Sequence, residues 1–296
     1  FHQITNDLKN AQIVIVNTCA FLESSRKEAI EEILSASLLK EQGTLEKIIV
    51  TGCLPQLAPS ELFNELIEVD GFLGIADYSK INQVIDRIYD GERVLEVNAP
   101  KNECLTGRVV STGSHAYLKI SDGCKNCCTY CLIPKIRGGF RSISKDLLIK
   151  EAQSLGKVKE LVLVAQDLTS YGQDLTPKSS LVELIREISK LESIEKIRLL
   201  YCYPEGITEE LIKEIKLNSK VIKYLDIPFQ HADDLVLKKM NRHGGSALIR
   251  EAVKKLRDRV PGIILRTTAM VGFPGETDED FTELCDFVKE AKFDRF

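Results

Sequence analysis

The sequence predicts an α/β protein in two parts: a small N-terminal domain with a parallel sheet, then a partial barrel of six strand–helix units, (β/α)6. Three observations carry this. Short apolar runs of strand length alternate with stretches of helical periodicity. The alternation fades between about residues 91 and 114, where Gly, Pro, Asn and Ser gather, and a linker is placed there. It then resumes over a longer stretch. At roughly 150 residues per domain, the 296 residues also suggest about two domains. The expected boundaries are 1–100 and 114–296.

In the first part, Ile13-Val14-Ile15-Val16 has the continuous apolar character of a buried parallel strand. Ser25-Arg26-Lys27-Glu28 follows with capping-box spacing, and Ile30, Ile33, Leu34 and Leu38 then recur at helical spacing. Ile48-Ile49-Val50 gives a second strand, and a helical segment runs from about 59 to 67. In the second part the strand candidates are 117–120, 161–165, 197–202, 224–227, 263–271 and a nascent one at Phe293. Helical patterns fall near 145–155, 180–191, 208–217, 233–240, 246–258 and 278–291. This alternation suits a partial α/β barrel better than a doubly wound sheet, although periodicity alone does not separate the two.

Hydrophobic residues make up 44% of the chain and charged residues 28%, which excludes a disordered chain, a collagen-like repeat and a disulfide-stapled miniprotein. The longest apolar runs, such as 13–16 and 161–165, are far short of the ~20 residues of a membrane-spanning helix. A formal charge of −4, from 40 basic and 44 acidic residues, gives no overall bias toward nucleic acid. No charged-then-apolar leader opens the chain, so a cytoplasmic protein without membrane attachment is expected. The first residue is Phe1, not Met, and Phe293-Asp294-Arg295-Phe296 has the texture of a strand opening. Both suggest a piece of a longer chain, truncated at each end.

Nine cysteines in such a chain point to metal or redox chemistry before disulfides. Four crowd into Gly123-Cys124-Lys125-Asn126-Cys127-Cys128-Thr129-Tyr130-Cys131. Cys124 with Cys127 forms a C-x2-C pair, half of a zinc site, but no second Cys/His pair follows within the next 50 residues. Cys124, Cys128 and Cys131 instead give C-x3-C-x2-C on one loop after the first barrel strand. Four cysteines close a cubane iron–sulfur cluster, whereas three leave one iron open to a substrate or cofactor. At the C-terminal mouth of a barrel that iron faces the cavity. Cys127 is then surplus, a spectator thiol. A zinc-holding, non-catalytic module is the rival from another class.

The C-x3-C-x-aromatic-C pattern, with Tyr130 in the aromatic slot, resembles the radical S-adenosylmethionine enzymes. Gly123-Cys124 … Cys128-Thr129-Tyr130-Cys131-Leu132-Ile133-Pro134 … Arg137-Gly138, together with Gly272-Phe273-Pro274-Gly275-Glu276-Thr277, is similar to their methylthiotransferase branch. The resemblance covers nearly the whole chain. It implies a radical-SAM barrel in which Cys124, Cys128 and Cys131 hold a 4Fe–4S cluster that delivers one electron, from an external donor, to S-adenosylmethionine. Cleavage then gives methionine and a deoxyadenosyl radical, which removes hydrogen from an unactivated carbon. Sulfur and a methyl group from a second S-adenosylmethionine follow.

Asn17-Thr18-Cys19 and Gly52-Cys53 end the first two strands, on the sheet edge where ligands usually bind. On spacing alone, two isolated cysteines are more often packing residues. The resemblance implies otherwise: the family's N-terminal domain holds a second 4Fe–4S cluster on three cysteines, two of them in Asn-Thr-Cys and Gly-Cys contexts. Cys19 and Cys53 match those two. The family's first cysteine lies upstream and is absent from this sequence, so the second cluster is expected to be incomplete here.

Polar groups also stand at the end of the second barrel strand, in Leu163-Val164-Ala165-Gln166-Asp167. The resemblance places the amino group of S-adenosylmethionine near Gln166 and Asp167, against a plain reading as strand-end caps. Arg266 can pair with a cofactor carboxylate or form a structural ion pair. Gly275 is expected near the cofactor by resemblance, and a simple turn by its residues. His231 and His243 lack metal-like partners and read as satisfied or solvent histidines.

The branch divides by substrate. One subfamily modifies an adenosine of transfer RNA, the other an aspartate on protein S-twelve of the small ribosomal subunit. Ile227-Pro228-Phe229-Gln230-His231-Ala232 carries Gln-His where the RNA-modifying branch usually has Gln-Ser-Gly. Tyr201-Cys202-Tyr203-Pro204 and Leu265-Arg266-Thr267-Thr268 also resemble the protein-modifying branch. The ribosomal protein is the expected substrate, ahead of transfer RNA.

Overall fold

The computed structural model describes residues 2–5, 7–100 and 114–296. Contacts divide the chain into two units, Phe1–Glu103 with Lys135–Gly138, and Cys104–Pro134 with Gly139–Phe296. Of the linker expected over 91–114, residues 101–113 lie outside the described residues.

The first unit runs β1 (Ile13–Thr18), α1 (Glu23–Glu41), β2 (Lys47–Gly52), α2 (Cys53–Leu57), α3 (Pro59–Glu65), β3 (Gly71–Leu73), α4 (Ile81–Tyr89) and β4 (Val94–Glu96). Its four strands are all parallel, in the order β1-β2-β3-β4. Ile48, Ile49 and Val50 of β2 are fully buried. The run at 13–16 is not a buried strand, because β1 forms the sheet edge and leaves Ile15 48% exposed. The capping box expected at Ser25 is absent too. Helix α1 already starts at Glu23, which puts Ser25 inside the first turn, and Leu22 holds the cap position without a side-chain bond. Its buried face is Ala29, Ile33, Ala36 and Ser37, while Leu34 and Leu38 are exposed. Strand β4, at 94–96, occupies the start of the stretch read as linker; three residues are too short to show a period.

The second unit runs β5 (His115–Lys119), β6 (Ser121–Asp122), α5 (Ile133–Arg137, shared with the first unit), β7 (Arg141–Ser142), α6 (Lys145–Ser154), β8 (Val158–Val164), α7 (Leu181–Ser189), β9 (Ile194–Leu199), α8 (Glu209–Leu217), β10 (Val221–Asp226), α9 (Asp234–Lys239), α10 (Gly245–Arg259), β11 (Ile264–Arg266) and α11 (Asp278–Ala291). Five parallel strands pair in the order β11-β10-β9-β8-β5. The sixth strand expected at Phe293 is present only as a parallel bridge between Arg266 and Arg295. Strands β6 and β7 form a small antiparallel pair beside the sheet.

Leu118, Leu161, Leu163, Ile197, Leu199, Leu225 and Leu265 of the strands are fully buried in the core of this unit, with Leu148, Ile185, Ile215 and Leu256 from the helices. Several helices start as their sequences dictate. Ser180 accepts from the N–H of Glu183 at 3.2 Å, Thr208 from Leu211 at 3.2 Å, and Thr277 with Asp280 forms a capping box. Helices between the five parallel strands of this unit return the chain to the same edge, so those five strands have their C-terminal ends at one mouth.

Candidate functional site

The loop after β5 carries the cysteines. Gly123 turns the chain, and the Asp122 carboxylate accepts from its N–H at 2.9 Å. Cys124 and Cys128 are buried, Cys131 is half-buried, and Cys127 is exposed with its backbone in the left-handed region at φ +48°. The end of α9 pins this loop. Thr129 N–H donates to Met240 O at 3.1 Å, its hydroxyl donates to Lys239 O at 3.1 Å, and Asn241 Nδ2 donates to Cys127 O at 3.0 Å. The four cysteines therefore do not share one environment, and Cys127 faces away from burial.

Two sulfurs receive backbone donors: Asn126 N–H on Cys124 and Ile133 N–H on Cys131, both at 3.5 Å. Cys128 Sγ lies 3.8 Å from the hydroxyl of Tyr203. Donors aimed at thiol sulfurs are what an iron–sulfur site uses to set its potential. Burial pushes the thiols of Cys124 and Cys131 above the usual range, and the neighbouring Cys128 adds to both shifts. Iron binding at these thiols therefore has to displace protons. A zinc ion at ~2.3 Å from each sulfur would need them only about 3.8 Å apart. Among the described residues no group of three His, Cys, Asp or Glu side chains is gathered to hold a single metal ion. A cluster in which each thiolate takes a different iron does not require that convergence. The donor set fits a three-cysteine cluster.

Beside Cys128 opens a cavity of about 250 Å³, walled by Asp167, Tyr203, Glu205, Asn241 and Arg242. These residues follow β8, β9 and α9, so the cavity sits at the C-terminal mouth of the parallel sheet, where barrel sites form. Asp167 is 3% exposed, and its carboxylate accepts from Thr169 N–H at 3.0 Å, Thr169 Oγ1 at 2.5 Å and Ser170 Oγ at 2.6 Å. Gln166 is half-buried, and its Oε1 is buried without a hydrogen-bond partner.

The other expected residues do not line this cavity, although Tyr130 reaches Cys128 and Arg242 on its wall. Arg266 forms an ion pair with Asp226 at 2.5 Å, the structural pairing its position also allows. Asp226 is 1% exposed, and burial pushes its carboxyl upward against the pull of Arg266. Gly275 is exposed, and its carbonyl accepts from Lys239 Nζ at 2.7 Å. Tyr130 packs edge-on against Phe273 with centroids 6.5 Å apart, and lines a separate cavity of about 380 Å³ with residues 270–274. Burial pushes its hydroxyl up to about 12. His231 is fully buried; its Nδ1 accepts from Asp233 N–H at 3.0 Å, and its Nε2 stands 3.4 Å from Glu276. His243, read as a satisfied or solvent histidine, lies on the cavity wall.

Sequence reasoning missed Tyr203 and Arg242 as site residues. Tyr203 sits in a quoted motif but signals nothing by type. Arg242 gives one weak signal, a cation in a polar Asn-Arg-His-Gly run directly after a buried helix end.

In the first unit, β1 and β2 pair in register through Thr18 and Gly52, so the next residues, Cys19 and Cys53, leave the same sheet edge side by side. Cys19 is exposed and Cys53 half-buried. Gly52 has φ +101°, and a Cβ there would lie 2.4 Å from Thr18 O. Only glycine lets the two strand ends approach this closely.

Residues 118–288 match the family model described as the radical SAM superfamily, and residues 2–74 match one described as uncharacterized protein family UPF0004. Among curated relatives, a protein of Geobacter sulfurreducens is 47% identical over 99% of this chain and 67% of its own length. One from Acetivibrio thermocellus is 50% identical over 99% of this chain and 67% of its own. Both are named ribosomal protein uS12 methylthiotransferase RimO. The chain thus spans about two thirds of these relatives. The fold is also similar to that of the cobalamin-dependent S-adenosylmethionine radical enzyme OxsB with aqua-cobalamin and S-adenosylmethionine bound. That match has a TM-score of 0.63 and 16% identity, over 93% of this chain and 43% of the other.

Proposed function

Because the chain belongs to the radical SAM superfamily and, within it, to the family of uS12 methylthiotransferases, we propose that it attaches a methylthio group to an aspartate of small-subunit ribosomal protein uS12. The single observation that carries this reading is the identity of 44–50% to enzymes so named, spread over 99% of the chain. The enzyme depends on S-adenosylmethionine and a 4Fe–4S cluster, as its family does.

In this reading Cys124, Cys128 and Cys131 hold the cluster. When bound, cluster and S-adenosylmethionine together supply the radical that activates a C–H bond, with an external donor providing the electron. The chain's own residues do the rest. Buried Cys124 and Cys128 keep water from their sulfurs, and Asn126 and Ile133 aim N–H groups at the loop's thiolates. Asp167 spends its carboxylate on residues 169 and 170, fixing the cavity wall, while Gln166 Oε1 remains an acceptor for the cofactor's ammonium group. Tyr130, Arg266 and Gly275 do not line the cavity; their approach to the cofactor is the family expectation, with Tyr130 linked to the cavity through Cys128 and Arg242 and Arg266 held by its pair with Asp226. Placing a cofactor against one C–H bond and excluding side reactions is what such enzymes contribute.

Cys19 and Cys53 are two ligands of a second cluster that supplies the sulfur step. Their exit from paired strand ends supports this assignment. We place the domains at residues 1–100 and 114–296, apart from Lys135–Gly138, which group with the first unit.

The test is a side-by-side assay. Full-length protein, reconstituted anaerobically with iron and sulfide, is given S-adenosylmethionine, a reductant, and either ribosomal protein uS12 or transfer RNA. The expected product is uS12 heavier by one methylthio group at an aspartate. Methylthiolated adenosine in the RNA arm, with unmodified uS12, would overturn the substrate assignment.

A further inference from the structure

We propose that Tyr203, with Arg242 stacked on its ring, is a positioning residue that donates a hydrogen bond to the Cys128 thiolate and thereby sets the reduction potential of the cluster. The inference rests on the reading of Cys128 as an iron ligand.

The geometry joins three segments that are far apart in sequence. Tyr203 follows β9, Cys128 lies in the loop after β5, and Arg242 follows α9; all three line the 250 Å³ cavity. The Tyr203 hydroxyl is 3.8 Å from Cys128 Sγ, within reach of a hydrogen bond to sulfur. In the free thiol either atom can supply the proton. A thiolate bound to iron has none, so the phenol must then be the donor. Cys124 and Cys131 receive backbone N–H groups, which substitution does not remove, whereas Cys128 is met by side chains, Tyr203 and also Tyr130. The Tyr203 contact to Cys128 is supplied by a side chain, which makes it adjustable.

Arg242 strengthens that donor. It is 7% exposed, and its guanidinium carbon stands 4.5 Å from the centre of the Tyr203 ring. Its Nη2 donates to Pro228 O at 2.7 Å, which fixes the stacked position. A cation over the ring face draws electron density from the phenol and makes its proton a better donor. Buried positive charge also favours the more negative, reduced state of a cluster beside it. Hydroxyl and guanidinium act in the same direction: both raise the potential.

The experiment compares the parent, Tyr203→Phe and Arg242→Lys as full-length, anaerobically reconstituted proteins without S-adenosylmethionine. Iron and sulfide are counted, and the reduced-cluster signal is followed by electron paramagnetic resonance during a potentiometric titration. Tyr203→Phe keeps the iron content but loses about tenfold in the equilibrium constant for reduction, which is ~59 mV downward for one electron. Arg242→Lys keeps a charge and loses the planar stacking face, so it shifts the potential the same way by less. It carries the comparison if the phenylalanine variant holds no cluster. Full iron with an unchanged potential in the substituted proteins overturns the inference. A parent that assembles no cluster, or a Cys128→Ala protein with the parent's iron and signal, overturns the ligand assignment instead.

Discussion

The hydroxyl of Thr18 donates to the carbonyl of Thr51 at 2.7 Å and closes the end of β1 onto the end of β2. The same oxygen accepts from the N–H of Leu54 at 3.2 Å. One buried side chain therefore ties together the two turns that present Cys19 and Cys53. Gly52 completes the clasp, since its φ of +101° and its 2.4 Å gap leave no room for a Cβ. Gly52→Ala is expected to destabilise the protein by about 1–3 kcal/mol, through strain at a left-handed position and collision with Thr18. Thr18→Val strands a buried N–H and should cost a similar ~1–3 kcal/mol. Urea unfolding followed by circular dichroism measures both; midpoints equal to the parent's would contradict the clasp.

The Asp226–Arg266 pair makes a pH-dependent prediction. Burial raises the Asp226 carboxyl above its ordinary value, so the folded protein holds this proton more tightly than the unfolded chain does. A group raised in this way contributes stability below its unfolded pKa and loses it as pH rises through the folded one. Asp226→Asn has no such charge to bury. The variant should therefore gain stability relative to the parent as pH climbs from the carboxylate range to neutrality. Denaturation midpoints of both proteins at acidic and neutral pH read this directly. A difference that stays constant with pH, or that runs the other way, would count against a buried, ionising Asp226.

Cys19 separates two activities if it belongs to a second cluster. In the full-length protein, Cys19→Ala should lose about one cluster's worth of iron yet still cleave S-adenosylmethionine, because Cys124, Cys128 and Cys131 belong to the other unit. Methylthiolated uS12 should vanish. Cys19 is exposed, so packing alone gives this substitution a cost within about 0.5 kcal/mol. Full iron content with normal product would remove the second-cluster role.

Much of the fold was legible in the sequence, and the errors have common causes. The apolar runs mark only the C-terminal halves of the barrel strands, which begin earlier. Strand β8 starts at Val158, ahead of Lys159 and Glu160, and β9 starts at Ile194, ahead of Glu195 and Lys196. Charged residues are stable there because they pair across strands, as Glu160 does with Arg198 at 2.5 Å. The fifth strand is shorter than the run over 263–271 predicts, because pairing of β11 ends at Arg266 and leaves Ala269 only an isolated bridge to Gln230. In α1 the leucines suggested a buried face that the alanines supply. The metal loop was readable because its ligands are consecutive. Tyr203 and Arg242 were not, because 75 and 114 positions separate them from Cys128 and only the fold brings them together.

Iron content and S-adenosylmethionine cleavage in Cys128→Ala against Cys127→Ala test the central claim most directly. Cys128 is buried beside the cavity, and Cys127 is exposed on a left-handed turn. After anaerobic reconstitution, Cys127→Ala should keep the barrel cluster and release deoxyadenosine near the parent's rate. Cys128→Ala should release none, because two thiolates do not hold a cluster with one open iron. Deoxyadenosine at the parent's rate from Cys128→Ala, or loss of the cluster in Cys127→Ala, would contradict the assignment of the site.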